Sequence, residues 1–205
     1  MKKIFYFLFL LAPTFLLAQD VALFNQYNGK FDFTAIGNTL NTGENGSGGP
    51  CEILTQSSAD FNLDPAYTVV EAQLYWSGSG PLNENSRNVT LNAFSVTAER
   101  EFTLNLNGRP FFAANADVTD IIIANGNGEY TLSDLDLTAI IENYCGSGTN
   151  FGGWSITIVY KDPTTTLNQI SLFDGLEYVS AGNPTLEILL ESIDIANANL
   201  AKIGF

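Results

Sequence analysis

Thr68-Val69-Val70-Glu71-Ala72-Gln73-Leu74-Tyr75-Trp76, closed by Ser77-Gly78-Ser79-Gly80-Pro81, decides the fold class. From Val70 onward every second residue is apolar (Val70, Ala72, Leu74, Trp76), while Glu71, Gln73 and Tyr75 take the other face. A period of two is the signature of a strand with one buried face. The pattern returns at Trp154, Ile156, Ile158 and Tyr160, with Ser155 and Thr157 between them and Lys161-Asp162-Pro163 as the stop. Val159 breaks the polar face of that second strand, which predicts burial on both sides there.

Shorter strands are predicted around these two. Val89 and Leu91 point inward within Asn88–Asn92, and Phe94–Ala98 continues the pattern. Phe102, Leu104 and Leu106 lead into Asn107-Gly108, a dipeptide suited to the positive φ angles of a tight hairpin turn. Tyr130–Leu137, Ile170–Phe173, Leu186–Leu190 and Ile193–Ile195 complete the set, and Val21–Leu40, with its alternation around Phe31-Asp32-Phe33, predicts a strand at a sheet edge. Asp117–Ala124 has helical spacing at Val118, Ile121 and Ile122 and a capping residue in Asp117 or Thr119, but its β-branched content fits a strand equally well. Thr138–Tyr144 reads as a connecting turn or short helix. Nine or ten short strands without an internal repeat predict an all-β chain, one antiparallel β-sandwich over residues 20–205, jelly-roll-like or Ig-like.

Residues 1–19 have the build of a cleavable signal peptide. Lys2 and Lys3 precede the apolar run Ile4–Leu11, and Phe15–Leu17 leads to the small Ala18 before Gln19 and Asp20. The run is too short, and too interrupted by Pro13, for a membrane anchor of about 20 residues. No second long apolar segment follows, so no membrane span is expected in the mature chain. Cleavage leaves six basic residues against 22 acidic ones, a formal charge of −16. That charge argues against nucleic acid as a partner, because it repels phosphate backbones. Cys51 and Cys145, 94 residues apart and each beside a glycine-rich turn, predict one disulfide in an exported chain; two buried thiols are the alternative. Ala201–Phe205 ends in mid-alternation, which predicts that the chain is the N-terminal part of a longer protein.

The chain contains no histidine, so no Ser-His-Asp or Cys-His arrangement exists and zinc loses its commonest ligand. Catalysis would rest on carboxylate pairs, as in glycosidases, with Asp117, Asp120, Asp134 and Asp136 as candidates. Chance proximity among 22 acids accounts for such pairs better, and no enzyme activity is expected. Asn125–Glu129 (NGNGE) and Ser133–Asp136 (SDLD) offer oxygen ligands of the kind calcium takes, against a simpler role as turns. Trp76 and Trp154 have the chemistry to stack on sugar rings, but their position on apolar strand faces favours the core. No cofactor is expected, apart from the calcium alternative.

Four segments carry a family resemblance: Ala72-Gln73-Leu74-Tyr75-Trp76-Ser77-Gly78, Ala116-Asp117-Val118-Thr119-Asp120, Asn150-Phe151-Gly152-Gly153-Trp154 running into Ile158-Val159-Tyr160-Lys161-Asp162, and Leu167-Asn168-Gln169 through Phe173-Asp174-Gly175-Leu176. In that order the chain resembles the β-rich modules of secreted, gliding-motility-associated proteins of Bacteroidetes-type bacteria. The resemblance implies a surface, adhesin-like function, export through the type IX system, and surface glycans or extracellular proteins as partners. It supplies no catalytic residues. The type IX sorting domain expected at the C-terminus of such proteins does not occur in this sequence. A carbohydrate-binding module, with or without calcium, is the second expectation and a carboxylate glycosidase the third.

Overall fold

The structure, a computed structural model, describes residues 21–46, 48–182, 184–190, 193 and 201–204. The expected signal peptide lies outside these. Among the described residues the chain forms eleven strands and three short helices: β1 (Ala22–Gly29), β2 (Phe31–Thr39), β3 (Ser57–Phe61), β4 (Thr68–Ser79), α1 (Glu84–Arg87), β5 (Asn88–Leu91), β6 (Phe94–Thr97), β7 (Arg100–Leu106), β8 (Arg109–Asp117), α2 (Thr119–Asn125), β9 (Gly128–Ser133), α3 (Glu142–Cys145), β10 (Gly152–Lys161) and β11 (Asn168–Asp174).

Every pairing is antiparallel. A five-stranded sheet runs β2-β10-β4-β8-β7, a four-stranded sheet runs β3-β9-β5-β6, and β1 and β11 form a separate ribbon. The two larger sheets pack face to face over one apolar core. Ala72, Leu74 and Trp76 of β4 and Trp154, Ile156 and Ile158 of β10 fill it from one side, and Val89, Leu91, Tyr130 and Leu132 from the other. The fold is therefore an all-β sandwich. Trp76 and Trp154 are direct cross-strand partners in the middle of it. Each indole N–H finds an acceptor, Trp76 on the Ser86 carbonyl (2.7 Å) and Trp154 on Ser57 Oγ (2.8 Å), as buried tryptophans require.

The hairpin dipeptide falls where its chemistry demands. Asn107 (φ 53°) and Gly108 (φ 82°) both take positive φ between β7 and β8, the condition of the turn that matches strand twist. Val21–Leu40 forms two strands, not one: the chain breaks at Gly29 (φ 150°), where an added Cβ would come within 2.7 Å of the Phe31 ring. β1 then lies in the ribbon, while β2 is an edge of the five-stranded sheet. Residues 119–125 settle as the helix α2, with Asp117 Oδ1 accepting the Thr119 N–H at its start (2.8 Å) and Val118 and Ile122 buried. The strand predicted over Tyr130–Leu137 ends at Ser133, because Asp134 turns into positive φ (68°); Leu135 and Leu137 still enter the core.

A further expectation is corrected. Leu186–Leu190 alternates like a strand but joins no ladder, and its apolar side chains are exposed. Ile193 is likewise outside any strand, and residues 194 and 195 lie outside the described residues. Alternation alone does not create a strand without a free edge in register. No helix among the described residues is long and apolar enough to cross a membrane.

Candidate functional site

The disulfide end of the sandwich gathers the loops. Cys51 and Cys145 are bonded, with Cα atoms 5.6 Å apart, and so tie the loop after β2 to α3. Asn41 is the hub of this end. Its amide donates to the Asn150 carbonyl and to Asn45 Oδ1 (both 2.7 Å), and its Oδ1 accepts the Gly152 N–H (3.1 Å). Asn150 reaches back to the Pro50 carbonyl (3.1 Å), beside Cys51. Leu40 N–H bonds to Gly152 O (2.8 Å), so the loops are fixed to β10 as well as to each other.

These contacts frame an open groove of about 790 Å³, lined by Thr39, Asn41, Glu44, Asn45, Ser77 and Phe151 among others. Its wall is amide, hydroxyl and bare glycine backbone with one carboxylate, Glu44, and one aromatic ring. Such a surface binds through hydrogen bonds and one apolar contact, and a rigid scaffold carrying loops is the usual way to hold it in shape.

A second polar feature lies on the outer face of the five-stranded sheet, beneath the β1–β11 ribbon. Glu71, Gln73 and Asn115 are buried there, not solvated. Asn25 of β1 donates to Glu71 Oε2 (2.8 Å), and Asn115 donates to Gln73 Oε1 (3.0 Å). Arg100 pairs with Asp174 of β11 (2.6 Å), which also accepts from the Tyr75 hydroxyl (3.3 Å). The Arg100 guanidinium lies 4.2 Å from the centre of the Phe24 ring. Glu71 Oε1 and Arg100 Nη1 are buried without a hydrogen-bond partner. Burial raises the Glu71 carboxyl above its usual range, against the Gln73 and Asn25 amides that lower it, and burial likewise raises Asp174 against Arg100. The Val159 break in alternation has its cause here: that side chain is fully buried under the same cover.

The residues singled out in the sequence do other work. Asp117 holds the start of α2, and Asp136 accepts the Thr138 N–H (2.9 Å) and hydroxyl, which hold its carboxyl below the usual range. Asp134 takes a contact from Ser133. Asp120 lies in the first turn of α2, with no hydrogen bond or ion pair to another of the four. In the NGNGE stretch, Asn125 donates to Ile121 O, Gly126 O accepts the Tyr130 hydroxyl, and Asn127 bridges to the Leu63 backbone. These are turn contacts. Among the described residues no three His, Cys, Asp or Glu side chains gather to hold a metal ion. Trp76 and Trp154 are core residues, so neither offers a face to a sugar.

No family model, no curated protein and no solved structure matches the chain. The four segments that carry the family resemblance fall on β4, the β8–α2 junction, the entry and length of β10, and β11. They are mainly framework positions, but two of them also reach the loop end: Ser77 from the first and Asn150, Phe151, Gly152 and Gly153 from the third.

Proposed function

We propose that this chain is an exported, adhesin-like structural module of the cell surface, of the gliding-motility-associated, type IX-secreted kind that its motifs resemble. The observation that carries the binding part is the disulfide-pinned groove at one end of the sandwich: polar, open, and held rigid by Asn41 and the Cys51–Cys145 bond. A module that works outside the cytoplasm gains from such a covalent tie, because disulfides persist there. The signal-like residues 1–19 and the strongly acidic remainder agree with that location.

Antibody labelling of intact against permeabilised cells tests the location. Labelling only after permeabilisation would overturn it. Beads coated with the purified mature chain test adhesion, with Asn45→Ala and Phe151→Ala as groove variants. Adhesion that is absent, or that both substitutions leave unchanged, would remove the groove from the proposal.

The amide-rich lining favours one second function, recognition of a neutral glycan by the same groove. A glycan array with the wild type and Phe151→Ala separates the two. Binding that Phe151→Ala abolishes supports sugar recognition, and an empty array at high protein concentration leaves protein partners.

A further inference from the structure

Six basic residues follow position 19, and the ion pairs of the structure claim three of them: Arg87 with Glu101, Arg100 with Asp174, and Lys202 with Asp32. Of the three without an ion pair among the described residues, two meet. Lys30, at the corner between β1 and β2, and Lys161, the last residue of β10, line one cavity of about 460 Å³ near the Gly29 corner. The other lining residues include Asn28, Phe31, Thr68 and Pro163.

The placement is built by the sheet. Lys161 pairs directly with Phe31 on one side and Thr68 on the other, so three adjacent strands end in the rung Phe31–Lys161–Thr68. Asp162 N–H donates to Lys30 O (3.0 Å), which fixes the β1–β2 corner against the end of β10. The Asp162 carboxylate accepts the Thr164 N–H (2.7 Å) and hydroxyl and makes no direct ion pair with either lysine, although the Lys30 charge helps to hold its carboxyl below the usual range. The Lys30 ammonium donates to Pro163 O (3.0 Å), which leaves two of its three N–H groups; Lys161 has no side-chain partner among the described residues.

Two ammonium groups beside one cavity, Lys30 balanced only in part by the nearby Asp162 and Lys161 without an ion-pair partner among the described residues, make a local positive site in a negative field. We propose that this cavity binds a small sugar acid. The two lysines take its carboxylate or sulfate, the Asn28 amide and Thr68 hydroxyl its polar substituents, and Phe31 and Pro163 the apolar edge of its ring. The volume lies within the usual range for small-ligand sites, about 300–1,000 Å³. The net charge of the chain works against long polyanions but little against a single charge, so the ligand is of monosaccharide size. The site is at the Gly29 corner and is independent of the groove at the disulfide end.

Titration of the ¹⁵N-labelled mature chain with galacturonate, galactose 6-sulfate, galactose and inorganic sulfate tests it. Shifts of the Asn28–Phe31 and Lys161 amides with either acidic sugar are expected. Galactose should bind at least about tenfold more weakly, since ionic hydrogen bonds are roughly twice as strong as neutral ones. Lys30→Ala and Lys161→Ala should each weaken binding by about three- to tenfold, while Lys161→Arg retains it. Response to only one of the two acidic sugars identifies the anion and supports the site. No binding by either, equal binding of galactose, inorganic sulfate matching the sugars, or insensitivity to both alanine variants would overturn it. Both lysines are exposed, so the melting temperatures of these variants should match the wild type and rule out misfolding as the cause.

Discussion

Replacing Glu71 by glutamine tests the polar layer under the ribbon. Glu71 is 94% buried, accepts a 2.8 Å hydrogen bond from Asn25 with the Gln73 amide close beside it, and has no hydrogen bond of good geometry at Oε1. An unsatisfied buried polar atom costs about 1–3 kcal/mol, and more when it is charged. Glutamine keeps the shape and removes the charge, at the cost of an amide N–H₂ to place; a net gain of about 1 kcal/mol above neutral pH is expected. The sign follows from the raised carboxyl. A group whose folded pKa lies above its unfolded value of about 4.3 contributes stability that is full below that value and is lost as pH rises through the folded one. Glu71→Gln should therefore melt above the wild type at pH 8, by about 2–4 °C for a chain of this size, and the gap should close as pH falls toward the ordinary carboxylate range. The groups facing Glu71, namely Asn25, Gln73 and Asp117, remain in both proteins, as does the Asp174–Arg100 pair, so the difference isolates one carboxyl. Melting curves of both proteins at pH 5 and pH 8 suffice. A variant less stable at pH 8, or a difference that ignores pH, would refute the reasoning.

Three further outcomes are expected. Reducing the Cys51–Cys145 bond, which closes a separation of 94 residues, should lower unfolding free energy in urea by up to about 4.7 kcal/mol on the chain-entropy estimate; an unchanged midpoint would mean that the bond constrains nothing. Trp76→Ala should cost about 3–5 kcal/mol, since it empties the centre of the core and orphans the Ser86 carbonyl, and the check is the same urea titration. Gly108→Val, at φ 82° with open space around the Cβ position, should destabilise by about 1–2 kcal/mol through backbone strain alone, whereas Leu106 and Arg109 variants should leave the turn intact by the same assay.

The sequence carried the central strands clearly, because β4 and β10 each present one face to a core. It carried the disulfide too, through two cysteines beside turns. The ribbon was harder to see. Glu71, Gln73 and Tyr75 look like a solvated face, since a polar strand face is normally wet, and only Val159 hinted at cover. That cover comes from β1 and β11, whose strand partners are up to 152 residues apart in the chain, a distance that local pattern does not report. Leu186–Leu190 shows the opposite case, alternation without a ladder to join. The groove was illegible for a related reason. Asn41, Asn45 and Asn150 read as loop composition until β2 and β10 bring them together. The acidic candidates were chosen by spacing, and local Asx-type turns account for Asp117 and Asp136.

The pairing of β1 with β11 and of β2 with β10 also sets an order of events. The strands nearest the N-terminus have as their partners the two nearest the C-terminus of the folded region. A chain threaded through a membrane from its N-terminus thus delivers β1 and β2 long before anything can pair with them. Until about 150 residues have crossed, neither can lock, and such non-local topology folds in milliseconds to seconds. On the proposed export route, self-repulsion among the 16 acidic residues that precede the end of β10 would keep the emerging strands of neighbouring molecules apart during that wait. The acidity of the sequence thus serves the interval before the fold exists as well as the surface it has afterwards.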